Sequence, residues 1–183
     1  MPTTVADAFA AAGLARDDVV RWGMKPSTPL PGVYIVSLNA STDDTAGSLM
    51  SAPLSIEVFE RWLDVRPELT LDGVRPTIQQ LIDRVRQFWL GDEVILYIGK
   101  ATSLSTRVGQ YYRTPIGARR PHAGGYFLKL LSNLDQLWVH YAACNDPSAA
   151  ENSMLQGFCE GVSVNSKRVL LDPAHPFPFA NLE

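Results

Sequence analysis

The apolar residues near the start of the chain recur at helical intervals. Between Val5 and Ala12 they occupy one face of a helix, and Gly13 follows directly, which predicts a helix that ends there. A second short helix is predicted over residues 17–22. Because neither helix carries many exposed basic residues, we expect residues 1–30 to be a helical extension that covers the core rather than a DNA-reading helix pair.

Three runs rich in β-branched and aromatic residues have the length and composition of strands. They cover residues 32–38, 94–99 and 137–142. Helical spacing returns after the second strand, from Leu104 to Tyr111, and after the third, from about residue 147 to residue 160. The chain therefore predicts a mixed domain of strands and helices.

Two further helices are predicted between the first two strands. Apolar residues at helical spacing run from Ile56 to Leu63 and from Ile78 to Trp89, so that each helix buries one face. We expect them to form an insertion of about residues 39–93. At the other end, the Pro-rich residues 172–183 predict an extended tail.

Composition limits the class of protein. The chain has 183 residues, of which 46% are hydrophobic and 19% charged, as expected for one globular domain with additions. It begins with no basic, apolar leader and has no apolar run near the ~20 residues of a membrane helix, so we expect a cytoplasmic protein with no membrane partner. Cys144 and Cys159 lack CxxC spacing and are expected to be buried free thiols.

Charge is distributed unevenly along the chain. The net charge is −3, yet residues 94–134 contain six cationic side chains and no Asp or Glu, while the remainder has ten cations against nineteen acids. Because salt screens each charge over about 8–10 Å, the local excess can draw an anion to one face of an otherwise acidic molecule. For residues 113–120 a solvated loop is the alternative.

Arg107 falls on the apolar stripe of the helix that follows the second strand. Its spacing from Leu104, Val108 and Tyr111 places Arg107 and Tyr111 on the face toward the sheet. A lone charge there is costly unless it meets a partner, a metal or a ligand, and a guanidinium can bind two phosphate oxygens at once. The alternative is an arginine that extends into solvent from the edge of the stripe.

Glu151 repeats this geometry on the last helix, where it is in line with the apolar residues between 154 and 158. If Ser148 began the helix, Glu151 would complete an ordinary capping box. Asp146 followed by Pro147 is the better start, because proline suits the first helical position. That start leaves Glu151 beyond capping reach and favours a metal ligand, since Mg²⁺ is commonly held by one carboxylate with waters and substrate oxygens.

Five elements in this order are similar to the ordered motifs of the GIY-YIG nucleases. They are Gly32-Val33-Tyr34, Tyr97-Ile98-Gly99-Lys100-Ala101, Arg107 with Tyr111, Glu151, and Asn165. Residues 97–112 especially resemble the nuclease half of bacterial excision-repair incision proteins, and the similarity spans residues 31–171 apart from the insertion. The resemblance implies an α+β fold with a small three-stranded, antiparallel-type sheet flanked by helices.

The resemblance also implies an activity, the metal-dependent hydrolysis of DNA phosphodiester bonds. Glu151 would hold a single Mg²⁺ or Mn²⁺ against the scissile phosphate, and a water would attack in line. Tyr34 would orient or deprotonate that water. Because a free phenol titrates near ~10, a role as base needs help from Lys100 or from the metal.

Three other residues carry roles by the same resemblance. Arg107 would neutralise the charge that develops on the phosphoryl oxygens, and its loss should slow the reaction on the order of 10² to 10³-fold. Tyr97 would hydrogen-bond the same group, and Tyr111 would position water or phosphate. The biological setting, whether DNA repair, restriction or a mobile element, is left open by the motifs.

Further polar residues are candidates for contacts to nucleic acid. They are Arg113, Arg119, Arg120, His122, Lys129 and Asn165. His122 lies beside two glycines and two arginines, where it could touch the substrate backbone, serve as an alternative base or be a bystander. For Asn165, an exposed turn residue is the simpler account.

The chain departs from the family pattern in two places. Val33 replaces the usual isoleucine, an apolar exchange that should leave the strand face unchanged. The insertion of residues 39–93 replaces a short connection and is a candidate site of specificity or protein binding. Alternatives to the DNA endonuclease are a non-cutting nucleic-acid-binding or adaptor protein and a nuclease that acts on RNA or branched DNA, and a homodimer is also open.

Overall fold

The computed structural model describes residues 2–118, 120–121 and 124–181. Within these residues six helices and four strands follow one another, with two short 3₁₀ helices before the last strand. Their order is α1 (Val5–Ala11), β1 (Asp18–Arg21), β2 (Gly32–Ser37), α2 (Ile56–Val65), α3 (Ile78–Arg86), β3 (Ile95–Ala101), α4 (Leu104–Arg113), the 3₁₀ helices Tyr126–Leu130 and Leu134–Gln136, β4 (Trp138–Ala143), α5 (Pro147–Gly161) and α6 (Val164–Val169).

The strands form one antiparallel sheet in the order β1-β4-β2-β3. The predicted sheet of three strands is wrong by one strand, because the helix predicted over residues 17–22 is strand β1. Val19 and Val20 are β-branched, and β1 pairs along the open edge of β4, where Val19 lies opposite His140. Four residues are too few for a stable helix, whereas a strand of that length gains a ladder of hydrogen bonds from its neighbour.

Helices cover both faces of the sheet. On one face, Tyr34, Val36 and Tyr97 pack against α4 and against the two helices of the insertion, α2 and α3. On the other face, Val33 and Ile98 pack against α1 and α5. The two helices predicted within the insertion are confirmed, and so is the helix predicted after each of the last two strands.

Helix α5 begins as its sequence predicts. The side chain of Asp146 accepts a hydrogen bond from the backbone N–H of Ala149 at 3.0 Å, and Pro147 occupies the first helical position. Ser148 is therefore not the cap, and Glu151 does not belong to a capping box. This start leaves the Glu151 carboxylate available for contacts outside its own helix.

The predicted C-terminal tail is extended but packs on the core. Phe179 and Ala180 are only 2% exposed. The N–H of Ala180 donates to the carbonyl of Leu96, and the side chain of Asn181 both donates to and accepts from the backbone of Ile98, at 2.6 and 2.8 Å. Because β3 is an edge strand, the tail satisfies backbone groups that the sheet leaves open.

Three smaller findings complete the fold. No helix in the described ranges is both long and apolar enough to cross a membrane. Cys144 and Cys159 are free thiols, as predicted, although both are partly exposed rather than buried. Helix α6 was not predicted, because its six residues include no buried side chain and so show no apolar stripe.

Candidate active site

Two tyrosines from neighbouring strands lie in contact on one face of the sheet. Tyr34 of β2 is opposite Gly99 of β3, and Tyr97 is two residues before that glycine on the same face. The ring centroids are 5.7 Å apart, and the two hydroxyls are hydrogen-bonded. A Cβ on Gly99 would fall 2.6 Å from a Tyr97 ring carbon and 2.9 Å from one of Tyr34, so glycine makes the room for both rings.

Helix α4 adds Arg107 and Tyr111 to this pair. Leu104 and Val108 anchor the helix on the sheet, which turns Arg107 and Tyr111 toward the strand tyrosines. The Tyr111 ring is 5.5 Å from that of Tyr97, centroid to centroid, and its hydroxyl donates to the carbonyl of Gly125. Arg107 is partly exposed, and Nη1 lies 3.4 Å from the carbonyl oxygen of Pro121.

Glu151 approaches from the opposite side of β3. Its Oε2 lies 2.8 Å from Nζ of Lys100, and the two side chains are 16% and 46% exposed. Lys100 pairs in register with Val33, on the face that α5 covers. Because β3 is the edge of the sheet, the Glu151 carboxylate lies close enough to Tyr97 to raise the pKa of its hydroxyl.

Burial controls the protonation of the phenols. It raises the pKa of Tyr34 well above its usual value, with further upward effects from Tyr97 and Tyr111 and a downward effect from Arg107. It raises the pKa of Tyr97 to about 12, against the downward effect of the hydrogen bond with Tyr34. Burial likewise raises the pKa of Tyr111 well above normal. All three are therefore hydroxyl donors at neutral pH rather than bases.

Two hollows meet at this cluster. The larger, of about 760 Å³, contains Tyr97, Glu151 and a mostly apolar wall. The smaller, of about 420 Å³, contains Lys100 and Arg107 with several hydroxyl side chains. The Lys100–Glu151 ion pair stands at their boundary, since each partner lines one of the two hollows.

The structure thus brings together all six residues predicted for the catalytic site. They are Tyr34, Tyr97, Lys100, Arg107, Tyr111 and Glu151. Tyr34 has no exposed surface, whereas Tyr97 lines the larger hollow. In this conformation the Tyr34 side chain is therefore covered, and of the two strand tyrosines Tyr97 is the one at the surface of the hollow.

The residues predicted to contact nucleic acid are more scattered. Arg113 and Arg120 are exposed, while Arg119 and His122 lie outside the described residues. Lys129 turns inward: Nζ donates to the carbonyl of Tyr112 at 3.1 Å, and burial lowers its pKa to about 8. An ammonium held in this way supports the fold and offers little to a phosphate.

Asn165 lies away from the cluster. It is exposed on α6 and lines a separate hollow with Asp92 and Trp89. The asparagine that lines the larger hollow is Asn181, and the tail also contributes four further residues, Asp172, His175, Phe177 and Ala180. Sequence reasoning missed them because the prolines suggested an unpacked tail. The signal that could have revealed the packing is Phe177 and Phe179, two aromatic residues among those prolines.

The donor set fits a metal held by one carboxylate. In the part of the chain that the structure describes, no group of three or more His, Cys, Asp or Glu side chains is placed to hold an ion. Among the described residues Glu151 is the carboxylate whose charge acts on Tyr97, while Asp172, in the same hollow, is hydrogen-bonded to His175 at 2.7 Å. A hydrated Mg²⁺ suits such a site because it keeps several waters and takes the rest of its ligands from substrate phosphate.

Comparison with known proteins finds no matching family model, curated protein or solved structure. The chemistry of the site must therefore be inferred from its own geometry.

Proposed function

We propose that this chain is a divalent-metal-dependent endonuclease of the GIY-YIG type that hydrolyses DNA phosphodiester bonds. The observation that carries the proposal is the meeting of two strand tyrosines, the Arg107 guanidinium and the Glu151 carboxylate at one edge strand. A cation and a carboxylate on the apolar stripes of two helices are costly unless each meets a partner or a ligand, and a phosphate with its metal ion would serve both.

Each residue has a task that its position supports. Arg107, beside the tyrosines, would neutralise the charge that develops on the phosphoryl oxygens. Tyr97, protonated and in the cleft, would donate to the phosphate or to the attacking water. Tyr34 would hold the Tyr97 hydroxyl in place, and Tyr111, fixed by Gly125, would keep the Tyr97 ring from turning away.

Glu151 would hold the cation. When bound, Mg²⁺ or Mn²⁺ would supply Lewis-acid stabilisation of the phosphate charge and of the leaving oxygen. Lys100 is ion-paired with the Glu151 carboxylate, and its ammonium would turn toward the phosphate if Glu151 bound the cation. The 46% exposure of the Lys100 side chain gives it room to do so.

The same ion pair favours a second candidate, a protein that holds nucleic acid without cutting it. With Glu151 neutralised by Lys100, the cluster would present Arg107 and the phenols as phosphate-binding donors. The two candidates differ in whether a metal changes the covalent state of the DNA.

The test is the nicking of supercoiled plasmid by the wild-type chain with Mg²⁺ or Mn²⁺, compared with Glu151→Ala. We expect metal-dependent nicking that Glu151→Ala slows by at least 10² to 10³-fold. Glu160→Ala is the matched control, since Glu160 is exposed near the end of the same helix. Nicking that survives Glu151→Ala would remove the assignment, and binding without nicking would favour the second candidate.

A further inference from the structure

The two hollows at the Lys100–Glu151 ion pair differ in chemistry. The smaller is the more polar of the two, and its lining is suited to a phosphate backbone because it combines two cations with hydroxyl and amide donors. These include Lys100, Arg107, Thr102, Ser103, Thr106 and Gln110. The larger has three partly exposed phenylalanine rings, Phe88, Phe127 and Phe177.

The two hollows differ in charge and therefore in the chemical groups that each can bind. The larger cleft contains the carboxylates Glu151 and Asp172, and among the described residues its lining includes no Lys or Arg. A further phosphate would be repelled there, whereas a neutral aromatic ring would not. Its volume of about 760 Å³ lies within the range of ligand pockets and can contain a nucleoside.

The rings of the larger cleft are arranged to receive another ring. Phe88 and Phe127 have centroids 5.9 Å apart and planes inclined at 46°, and His175 is stacked with Phe177 at 6.2 Å and 18°. Inclined and partly exposed faces leave aromatic surface free for stacking, which every nucleobase can use.

We propose that the larger cleft binds an unpaired nucleobase of the strand that is cut, while the smaller hollow binds the backbone on the other side of the scissile phosphate. The inference rests on the proposed function, because it takes Tyr97 and Glu151 to mark the position of that phosphate. In an intact duplex a base must leave its stack to enter the cleft, at a cost of a few kcal/mol that an unpaired base avoids. Single-stranded or flap DNA is therefore the preferred substrate class.

The test is a binding measurement without metal, so that cutting plays no part. Fluorescence anisotropy would compare a short single-stranded DNA, the same strand with abasic nucleotides, and its duplex. We expect the wild-type chain to bind the normal strand about tenfold or more tightly than the abasic strand or the duplex, as stacking of one or more bases requires. Equal affinity for the normal and abasic strands overturns the inference.

Variants locate the effect in the cleft. Phe177→Ala and Phe127→Leu should each reduce the difference between normal and abasic strands, whereas Met50→Ala, an 86% exposed side chain outside the cleft, should preserve it. A difference unchanged in both Phe variants places the base elsewhere and also overturns the inference. Metal-dependent cleavage of the same single strand by the wild-type chain tests the proposed function separately: cleavage without base-dependent binding overturns only the cleft, and base-dependent binding without cleavage overturns the nuclease and leaves a cleft that binds bases without cutting.

Discussion

Tyr34, Tyr97 and Tyr111 are one residue type in three settings. Tyr34 is fully buried and bonded to Tyr97, Tyr111 is tied to the carbonyl of Gly125, and Tyr97 alone of the three lines the larger cleft. Burial keeps all three phenols protonated, so their use is to donate hydrogen bonds in fixed directions. The spacing of a sequence cannot assign these roles, because exposure is a property of the packed molecule.

Removing the hydroxyls of Tyr34 and Tyr97, singly and together, tests whether the two tyrosines have these different roles. Tyr97→Phe should lower the plasmid nicking rate by about 10² to 10³-fold, because it removes the donor that lines the cleft. Tyr34→Phe should lower it less, and the double variant should match Tyr97→Phe alone, since Tyr34 acts through its partner. Both changes keep the rings and their packing.

If the reductions in nicking rate caused by Tyr34→Phe and Tyr97→Phe instead combined in the double variant, Tyr34 would contact the substrate itself. Tyr141→Phe is the matched control, because Tyr141 is buried opposite Tyr34 on β4 but its hydroxyl bonds to Asp18, at 3.2 Å, and not to the tyrosine cluster. Its nicking rate should equal that of the wild-type chain.

The elements at the two ends of the chain complete the sheet. Strand β1 occupies one edge beside β4, and residues 180–181 of the tail hydrogen-bond to the other edge strand, β3. The spacing of apolar residues predicted the helices well, because the apolar stripe of an amphipathic helix repeats over two or more turns. It failed at β1 and in the tail, where short segments are fixed by long-range pairing with an open strand edge.

Phe179 is the residue through which the contribution of the tail to the stability of the core can be measured. Its ring packs 4.9 Å from Trp89 and 5.9 Å from Phe127, centroid to centroid. Phe179→Ala should lower the free energy of unfolding by about 3–5 kcal/mol in urea denaturation, the usual cost of deleting a buried phenyl ring. Val169→Ala, at a 68% exposed position, should change it by no more than about 0.5 kcal/mol.

A tail that merely rests on the surface would give a different result. In that case Phe179→Ala would cost no more than Val169→Ala, and the wall that Phe177 and His175 add to the cleft would not be fixed by the core.

Across the whole molecule, two buried titratable groups make stability depend on pH in opposite senses. Glu93 is 1% exposed, accepts the N–H of Thr3 at 3.1 Å, and has its pKa raised by burial to about 7. His140 is bonded to Ser37 and has its pKa lowered by burial to about 4. Glu93 therefore favours folding at low pH, and His140 favours it at neutral pH.

Glu93→Gln isolates the first of these effects. A raised carboxyl pKa contributes stability that is present below about 4.5 and is lost as pH rises through about 7. Between these two pH values the free energy of unfolding of the wild-type chain should therefore fall by up to about 3 kcal/mol relative to that of Glu93→Gln. Urea denaturation at several pH values measures this difference. Glu60→Gln, at an exposed position of α2, should follow the wild-type curve.

If the free energy of unfolding of the wild-type chain instead rose relative to that of Glu93→Gln as pH rises, Glu93 would be stabilised as a carboxylate. If the free energies of unfolding of the two proteins changed with pH in parallel, the Glu93 side chain would be hydrated in the folded state.

The sequence by itself determined most of the helices, three of the four strands, the cap of α5, and the polar residues that mark the site. These depend on spacing over a few residues, which a sequence records directly. The tertiary structure decided which groups share a cleft: Lys100 with Glu151 across an edge strand, Tyr34 hidden beneath Tyr97, and the tail as a wall. Such neighbours are far apart along the chain, and only the packing around β3 brings them within reach of one another.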